Sequence, residues 1–302
     1  MVPFEIVIPV RNGGSLLADL LLTIEAEGYK DNTLIIDSES TDGVLCKFIE
    51  KGFHVHEILA KEFNHGGTRN LGVQLIKNKA KYVVFLTQDA LVKPGSLDEI
   101  YHYIVNNELS AVCGRQKPHS NANPLASHAR IFNYPIKSSI KSNNDISKYG
   151  IKSVFMSNSF AIYNIKDLEG VGLFPNNTIL CEDMYAVAKM LKAGYKVGYC
   201  GEAAVRHSHN YSAKEEFKRY FDIGVFHAME PWIQNEYGGA GGEGGRYLKS
   251  EFSYLWKGHK KWLPNFLINN LAKIVGMKLG KHYKKLPSSW IKKFSMHKGF
   301  WK

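Results

Sequence analysis

The sequence predicts an α/β fold: a doubly wound, mostly parallel sheet flanked by helices, with a basic, aromatic-rich helical extension at the C-terminus. Three observations carry that expectation. Short, near-continuously apolar runs such as IVIPV (6–10) and YVVFL (82–86) have the pattern of parallel strands buried on both faces. These runs alternate with helical segments at the spacing of βαβ units. The charge is also uneven. The 302-residue chain carries a net charge of +11, yet residues 250–302 hold twelve lysines against a single acid, Glu251, so the rest of the chain is neutral.

FEIVIPV (4–10) reads as the first strand, RNGG as a turn, and LLADLLLTIEAEGY as the first helix. TLIIDSESTDG supplies a strand at 33–36 and a polar loop in which Asp42 is placed to cap the next helix. FHVHEI, KYVVFLTQDA and SAVCGRQ are further strands. Residues 116–150 are rich in Asn, Ser and Pro and read as a long loop with one short helix near 125–133. SVFMSNSFAIYN returns to strand character. EDMYAVAKMLKAGY sets Met184, Val187, Met190 and Leu191 on one helical face. KVGYCGEAAVRHSHNYS reads as two short strands ending in His207 and His209, and EEFKRYFDIGVFHAMEPWI as one helix. GGAGGEGG (238–245) reads as a linker with no stable helix, because glycine gives up the most conformational freedom on ordering. It divides the chain into 1–237 and a helical region, 246–302.

Apolar residues at 44% and charged residues at 22% place the chain among globular proteins and exclude disorder. No apolar run approaches the roughly 18 residues that span a bilayer. The N-terminus lacks a basic start and carries Glu5 within its apolar stretch, so it does not read as a secretion signal. Cys46, Cys113, Cys181 and Cys200 are far apart with no CxxC pair, which suits free thiols in a reducing compartment better than a zinc site.

Ligands of such sheets sit beyond the carboxyl ends of the strands. The polar clusters Arg11/Asn12, Asp37/Ser38 and Gln88/Asp89 fall there. Asp89 suits a hard divalent cation, Mg²⁺ or Mn²⁺, facing a diphosphate, or equally a helix cap. His207 and His209 flank Ser208. On an extended segment they point to opposite faces, so only one is expected to reach a given metal. Asp183 sits at a predicted helix start, where the dipole favours the ionised carboxylate. In FNHGGTRN (63–70), two glycines allow backbone N–H groups to approach an anion, with His65 and Arg69 adding donors. The spacing is neither that of a P-loop nor of a dinucleotide fingerprint.

Taken together, IVIPVRNGG, IIDSESTDG, FLTQDA and CEDMYAVAKMLKAGYKV resemble, in order, the motifs of family 2 glycosyltransferases with the GT-A fold. EFNHGGTRNLG, CGRQ, FNYP, RHSHNYS, EFKRYFDIGVFHA and SMHKGFW look like the bacterial polysaccharide rhamnosyltransferase subgroup, and the likeness extends over nearly the whole chain. The resemblance implies inverting sugar transfer from a nucleotide donor, dTDP-L-rhamnose, to a lipid-linked saccharide. It assigns 1–237 to the transferase domain. It matches Pro9, Arg11, Asp37 and Ser38 to positions lining base and ribose. It also places His65, Gly66, Gly67, Arg69 and Gln88 at the donor, Asp89 and His207 at a divalent cation, and Asp183 as catalytic base. Two departures stand out. Thr87 replaces the first aspartate usual in the metal motif, so either the ion is held weakly or His207 completes its site. Ser38 replaces a second acidic residue.

Four of the five tryptophans (Trp256, Trp262, Trp290 and Trp301) lie in the basic tail. Basic segments with interleaved aromatics bind nucleic acid or anionic membrane surfaces. The neutral body argues against a continuous nucleic-acid groove, and the implied lipid-linked acceptor points to the cytoplasmic face of the membrane. The aromatic helices suit a second copy of the chain as well as lipid. A sugar-nucleotide nucleotidyltransferase would need a Gly-rich N-terminal loop with a following Arg/Lys signature, which IPVRNGGSLL does not match well.

Overall fold

Strand β1 (Phe4–Val10) sends alternate side chains into two cores, Ile6 and Ile8 on one side and Val7 on the other, which explains why the run is apolar throughout. The computed structural model describes residues 4–239 and 241–301. Helix α1 (Gly14–Ala26), β2 (Thr33–Asp37), α2 (Val44–Glu50), β3 (His54–Glu57), α3 (His65–Ile76) and β4 (Tyr82–Leu86) complete a parallel array in the order β3-β2-β1-β4. Gly43, not Asp42, is the N-cap of α2; Asp42 supports that start from one residue earlier, with Oδ1 accepting from Val44 N–H at 3.2 Å, while Oδ2 accepts from Gly14 N–H at 2.9 Å and ties the first two loops together.

The second half is mixed. It comprises β5 (Leu91–Val92), α4 (Ser96–Asn106), β6 (Ala111–Lys117), α5 (Pro124–Asn133), β7 (Ser139–Lys141), α6 (Ile146–Tyr149), β8 (Phe160–Asn164), α7 (Ile165–Gly170), α8 (Glu182–Lys192) and β9 (Val197–Arg206). Strand β8 lies antiparallel between β4 and β6, whereas β6 and β9 are parallel. The short strands β5 and β7 both pair antiparallel with β9. The stretch 197–206 is therefore one strand, not two. Its break in register at Gly114/Arg115 is absorbed as an irregularity against β6. The expected loop at 116–150 contains α5 as anticipated, and also β7, whose three residues become a strand only through pairing with β9.

Helix α9 (Ala213–Met229) stops before Pro231, which has no N–H to continue the helix, and α10 (Pro231–Tyr237) starts anew. Helices α11 (Gly241–Gly258), α12 (Leu263–Lys281) and α13 (Ser288–Phe294) follow. The glycine-rich stretch does not stay irregular: residues 241–245 form the first turn of α11, and Ala240 lies outside the described residues. Tertiary contacts outweigh the poor propensity. Glu243 pairs with Lys152 and Arg246, and buried Glu251 accepts hydrogen bonds from Tyr247 and from Asn270 of α12, each at 2.7 Å. Helices α9 and α12 cross closely through Gly224, Gly276 and Gly280. A Cβ on Gly280 would come within 2.0 Å of the Phe221 carbonyl.

Candidate active site

The carboxyl ends of β1, β2 and β4 meet in a polar rim. Pro9 lies in register with Ile36, and Arg11 is exposed just beyond β1. Gln88 clamps the Arg11 backbone, with Oε1 accepting from its N–H at 2.8 Å and Nε2 donating to its carbonyl at 3.1 Å. This amide therefore positions the Arg11 loop. Both Asp37 oxygens accept from Ser40. Ser38 Oγ and Arg69 Nε are buried with no hydrogen-bond partner. Such atoms are rare in folded proteins and call for a partner such as a water, an ion or a ligand.

Asp89 follows β4, and the segment after β9 brings both His207 and His209 to it. Their Nε2 atoms lie 3.4 and 3.7 Å from Asp89 Oδ2. The expectation that only one histidine reaches a given metal is thereby corrected. The alternation rule applies along a strand, and the strand ends at Arg206. His207 Nδ1 donates to Gln116 Oε1 at 2.9 Å, and Gln116 Nε2 donates to Ser157 Oγ at 2.8 Å. An amide oxygen only accepts, so Nδ1 carries a proton and Nε2 faces Asp89, donating to it when the ring is charged and offering a lone pair when the ring is neutral. Burial pushes His207 below its ordinary value and His209 down to about 4, the latter helped by His207. Burial also opposes ionisation of Asp89, but a hydrogen bond and charge from protonated His207, then the charge of His209 and a hydrogen bond from Thr87, outweigh it and hold the carboxyl well below the usual range. One carboxylate oxygen and two imidazole lone pairs within 4.8 Å of one another fit a divalent cation.

Helix α8 is entered through its N-cap Cys181, whose φ of 61° lies in the left-handed region. Its first two residues are the carboxylates Glu182 and Asp183. Glu182 is buried and bound by Arg69 Nη1 at 3.0 Å and Asn158 Nδ2 at 3.0 Å. Asp183 accepts from Met184 N–H at 2.7 Å and Asn158 N–H at 3.1 Å. The helix-terminal N–H groups favour its ionised form, as expected. Burial, and then the neighbouring Glu182 charge, win: the carboxyl is pushed up to about 7. Residues 157 and 158 are adjacent, so one network runs from Asp89 through His207, Gln116, Ser157 and Asn158 to the Glu182–Asp183 pair.

The FNHGGTRN segment behaves differently from expectation. The N–H groups of Gly66 and Gly67 are capped by Asn64 Oδ1 at 3.0 and 2.9 Å, so they are not free for an anion. Gly66 is needed because a Cβ would meet the Pro175 carbonyl at 2.0 Å. Arg69, set among donor contacts by resemblance, turns inward to Glu182 and to the His65 carbonyl at 2.9 Å. His65 Nε2 lies 3.4 Å from Nδ1 of His297, a residue of the C-terminal tail. The tail is fixed there by Asp222 of α9, which accepts from the N–H groups of Met296 and His297 at 2.9 and 3.0 Å.

The sequence reading missed Gln116, Asn158, Asp222 and His297 as parts of this site. His297 stands within the quoted SMHKGFW motif, but only the fold brings it to His65. Alternation leaves room for only one of His207 and His209 without choosing between them, and it is the resemblance that points to His207.

With this geometry the chain belongs to glycosyl transferase family 2, whose model matches residues 5–172. It is a glycosyltransferase with the GT-A arrangement of sheet and helices. Over 98% of its length it is 50% identical to the O-antigen chain rhamnosyltransferase RfbN of Salmonella typhimurium, covering 95% of that protein. It is 47% identical to the O-antigen chain rhamnosyltransferase WbaN of Salmonella anatum, covering all of this chain and 96% of the relative. Its fold is similar to that of a Pyrobaculum calidifontis mannosyltransferase solved in complex with GDP-Man and Mn²⁺, with a TM-score of 0.61 and 13% identity over 94% of this chain and 88% of that one.

Proposed function

We propose that this chain transfers L-rhamnose, with inversion, from dTDP-L-rhamnose to a lipid-linked glycan acceptor in O-antigen-type polysaccharide synthesis. The observation that carries this function is the network joining the Asp89–His207–His209 triad to the Asp183 carboxylate, in a chain related end to end to O-antigen chain rhamnosyltransferases. Pro9, Arg11, Asp37 and Ser38 line the nucleoside end, where the Ser38 hydroxyl has no hydrogen-bond partner in the chain. Asp89, His207 and His209 would hold a divalent cation. Two imidazoles with one carboxylate favour Mn²⁺ over Mg²⁺, which prefers all-oxygen sites. A cation bound there supplies positive charge to the departing diphosphate.

Asp183 takes the proton of the acceptor hydroxyl as that oxygen attacks the anomeric carbon. Glu182 is occupied by Arg69 and Asn158, so one base serves one displacement and the configuration inverts. Arg69, paired with Glu182, also acts on Asp183 by its own positive charge, which limits how far that carboxyl rises. The enzyme works at the cytoplasmic membrane face. Among the described residues no helix is long and apolar enough to cross a bilayer. Helix α12 instead exposes Leu267, Ile268, Leu271, Ile274 and Val275 as one stripe, in a segment rich in lysine. A panel of nucleotide sugars tests the assignment. Release of dTDP from dTDP-L-rhamnose on transfer is expected. Release of pyrophosphate would indicate a nucleotidyltransferase instead.

A further inference from the structure

Two cations beside the triad form no direct ion pair: Asp89 acts on Arg130, and Glu216 on Arg219, only at longer range. Arg130 of α5 donates from Nε to the His207 carbonyl at 2.7 Å, and its guanidinium lies 5.7 Å from the Tyr134 ring. Arg219 of α9 lies 5.7 Å from the Tyr211 ring. Among the described residues no carboxylate comes within 4.0 Å of either guanidinium. Together with His209 they line a small cavity behind the triad. They also line the inner end of a groove of about 720 Å³ between α5, α9, α11 and α12. The groove's two acids are already spent: Glu216 pairs with Lys273 at 3.3 Å, and Glu243 with Lys152 and Arg246. Lys278 and Lys281 are exposed at its other end, and Phe132, Ile223 and Met277 give it apolar walls. Ile274 belongs both to the groove and to the exposed stripe of α12, so the groove opens onto that stripe.

A half-buried guanidinium with no direct ion pair is costly, and its planar fork matches phosphate oxygens. The nucleoside positions Pro9, Arg11 and Asp37 lie on or just beyond β1 and β2, across β4 and β8 from β6 and β9, which lead to the triad and the groove. A donor diphosphate already has the triad's cation. We propose that the groove is the acceptor site, and that Arg130 and Arg219 hold the phosphate or diphosphate ester group of an acceptor whose long apolar chain leaves along the groove onto the α12 stripe. This deepens, and rests on, the transferase function proposed for the same site.

The test is calorimetric binding to the full chain with farnesyl diphosphate as probe in EDTA, farnesol as the uncharged control, and thymidine diphosphate with Mn²⁺ as a separate arm. Farnesyl diphosphate is expected to bind without metal, and farnesol at least tenfold more weakly. Arg130→Gln and Arg219→Gln are each expected to weaken farnesyl diphosphate about tenfold or more, the loss of a charge-assisted bond, and to leave thymidine diphosphate within about twofold. Lys278→Gln/Lys281→Gln changes only exposed side chains and so keeps its fold; it is expected to weaken farnesyl diphosphate several-fold. Unchanged farnesyl diphosphate affinity in the lysine double variant or in folded arginine variants overturns the proposal. So does an equal loss of thymidine diphosphate, which would give the arginines to the donor. If wild-type protein fails to bind thymidine diphosphate while the farnesyl diphosphate pattern holds, the donor function fails and the groove stands.

Discussion

Asp183 combines two opposing influences, a helix start that favours its charge and a buried carboxylate neighbour that opposes it. With its pKa pushed up to about 7, the base form grows tenfold per pH unit below that value. The account therefore predicts a kcat that climbs from pH 5 to about 7 and levels above, read from a pH–rate profile at saturating donor. Asp183→Asn is expected to lower kcat by about 10²–10⁴-fold while nucleotide affinity stays within a factor of two. Gln116 supports the metal site through one bond to His207. Gln116→Leu is expected to raise the Mn²⁺ concentration needed for half-maximal activity by about 10–100-fold, measured by titrating metal into chelated enzyme. Asp89 and Asp183 were legible in the sequence because each sits where a strand or helix pattern changes. His297 was not assignable, because 232 residues separate it from His65 and no local pattern encodes that meeting.

At the scale of elements, glycines with opposite surroundings give opposite predictions. Gly245 lies in α11 with nothing within 4 Å of a built Cβ. Gly245→Ala is expected to stabilise the chain by about 0.5–1 kcal/mol, since alanine restricts the unfolded chain and fits a helix. Gly280 lets α12 rest on α9, and Gly280→Ala is expected to destabilise by about 1–3 kcal/mol through forced separation of the helices. Denaturant melts of the two variants decide both signs. The strands and most helices were legible from apolar runs and periodicity. The start of α11 was not, because composition reports propensity alone, whereas Glu243 and Glu251 hold that helix by contacts to Lys152 and Asn270. Strand β7 was hidden for the same reason: it exists only through pairing with β9.

For the whole molecule, a neutral transferase body carries a basic helical end whose apolar stripe faces out, with Leu267 at 66% and Leu271 at 63% exposure. Lysines near an anionic surface contribute about 1 kcal/mol each. Binding to anionic vesicles is expected to weaken with salt and to be lost in Leu267→Glu/Leu271→Glu, with the melting temperature kept. A stripe that instead covers a second copy would leave vesicle binding intact and change the mass seen by light scattering. Truncation after Gly245 is the poorer test, because it strips α9 of α12 and removes His297 from His65. The central claim, a buried aspartate acting as base beside a cation-bound nucleotide sugar, is tested most directly by comparing wild type and Asp183→Asn with dTDP-L-rhamnose and a lipid-linked acceptor, measuring dTDP release and donor affinity on the same folded samples. The account predicts equal donor affinity and a turnover at least about 100-fold lower in the variant. Equal turnover in the two proteins would contradict it.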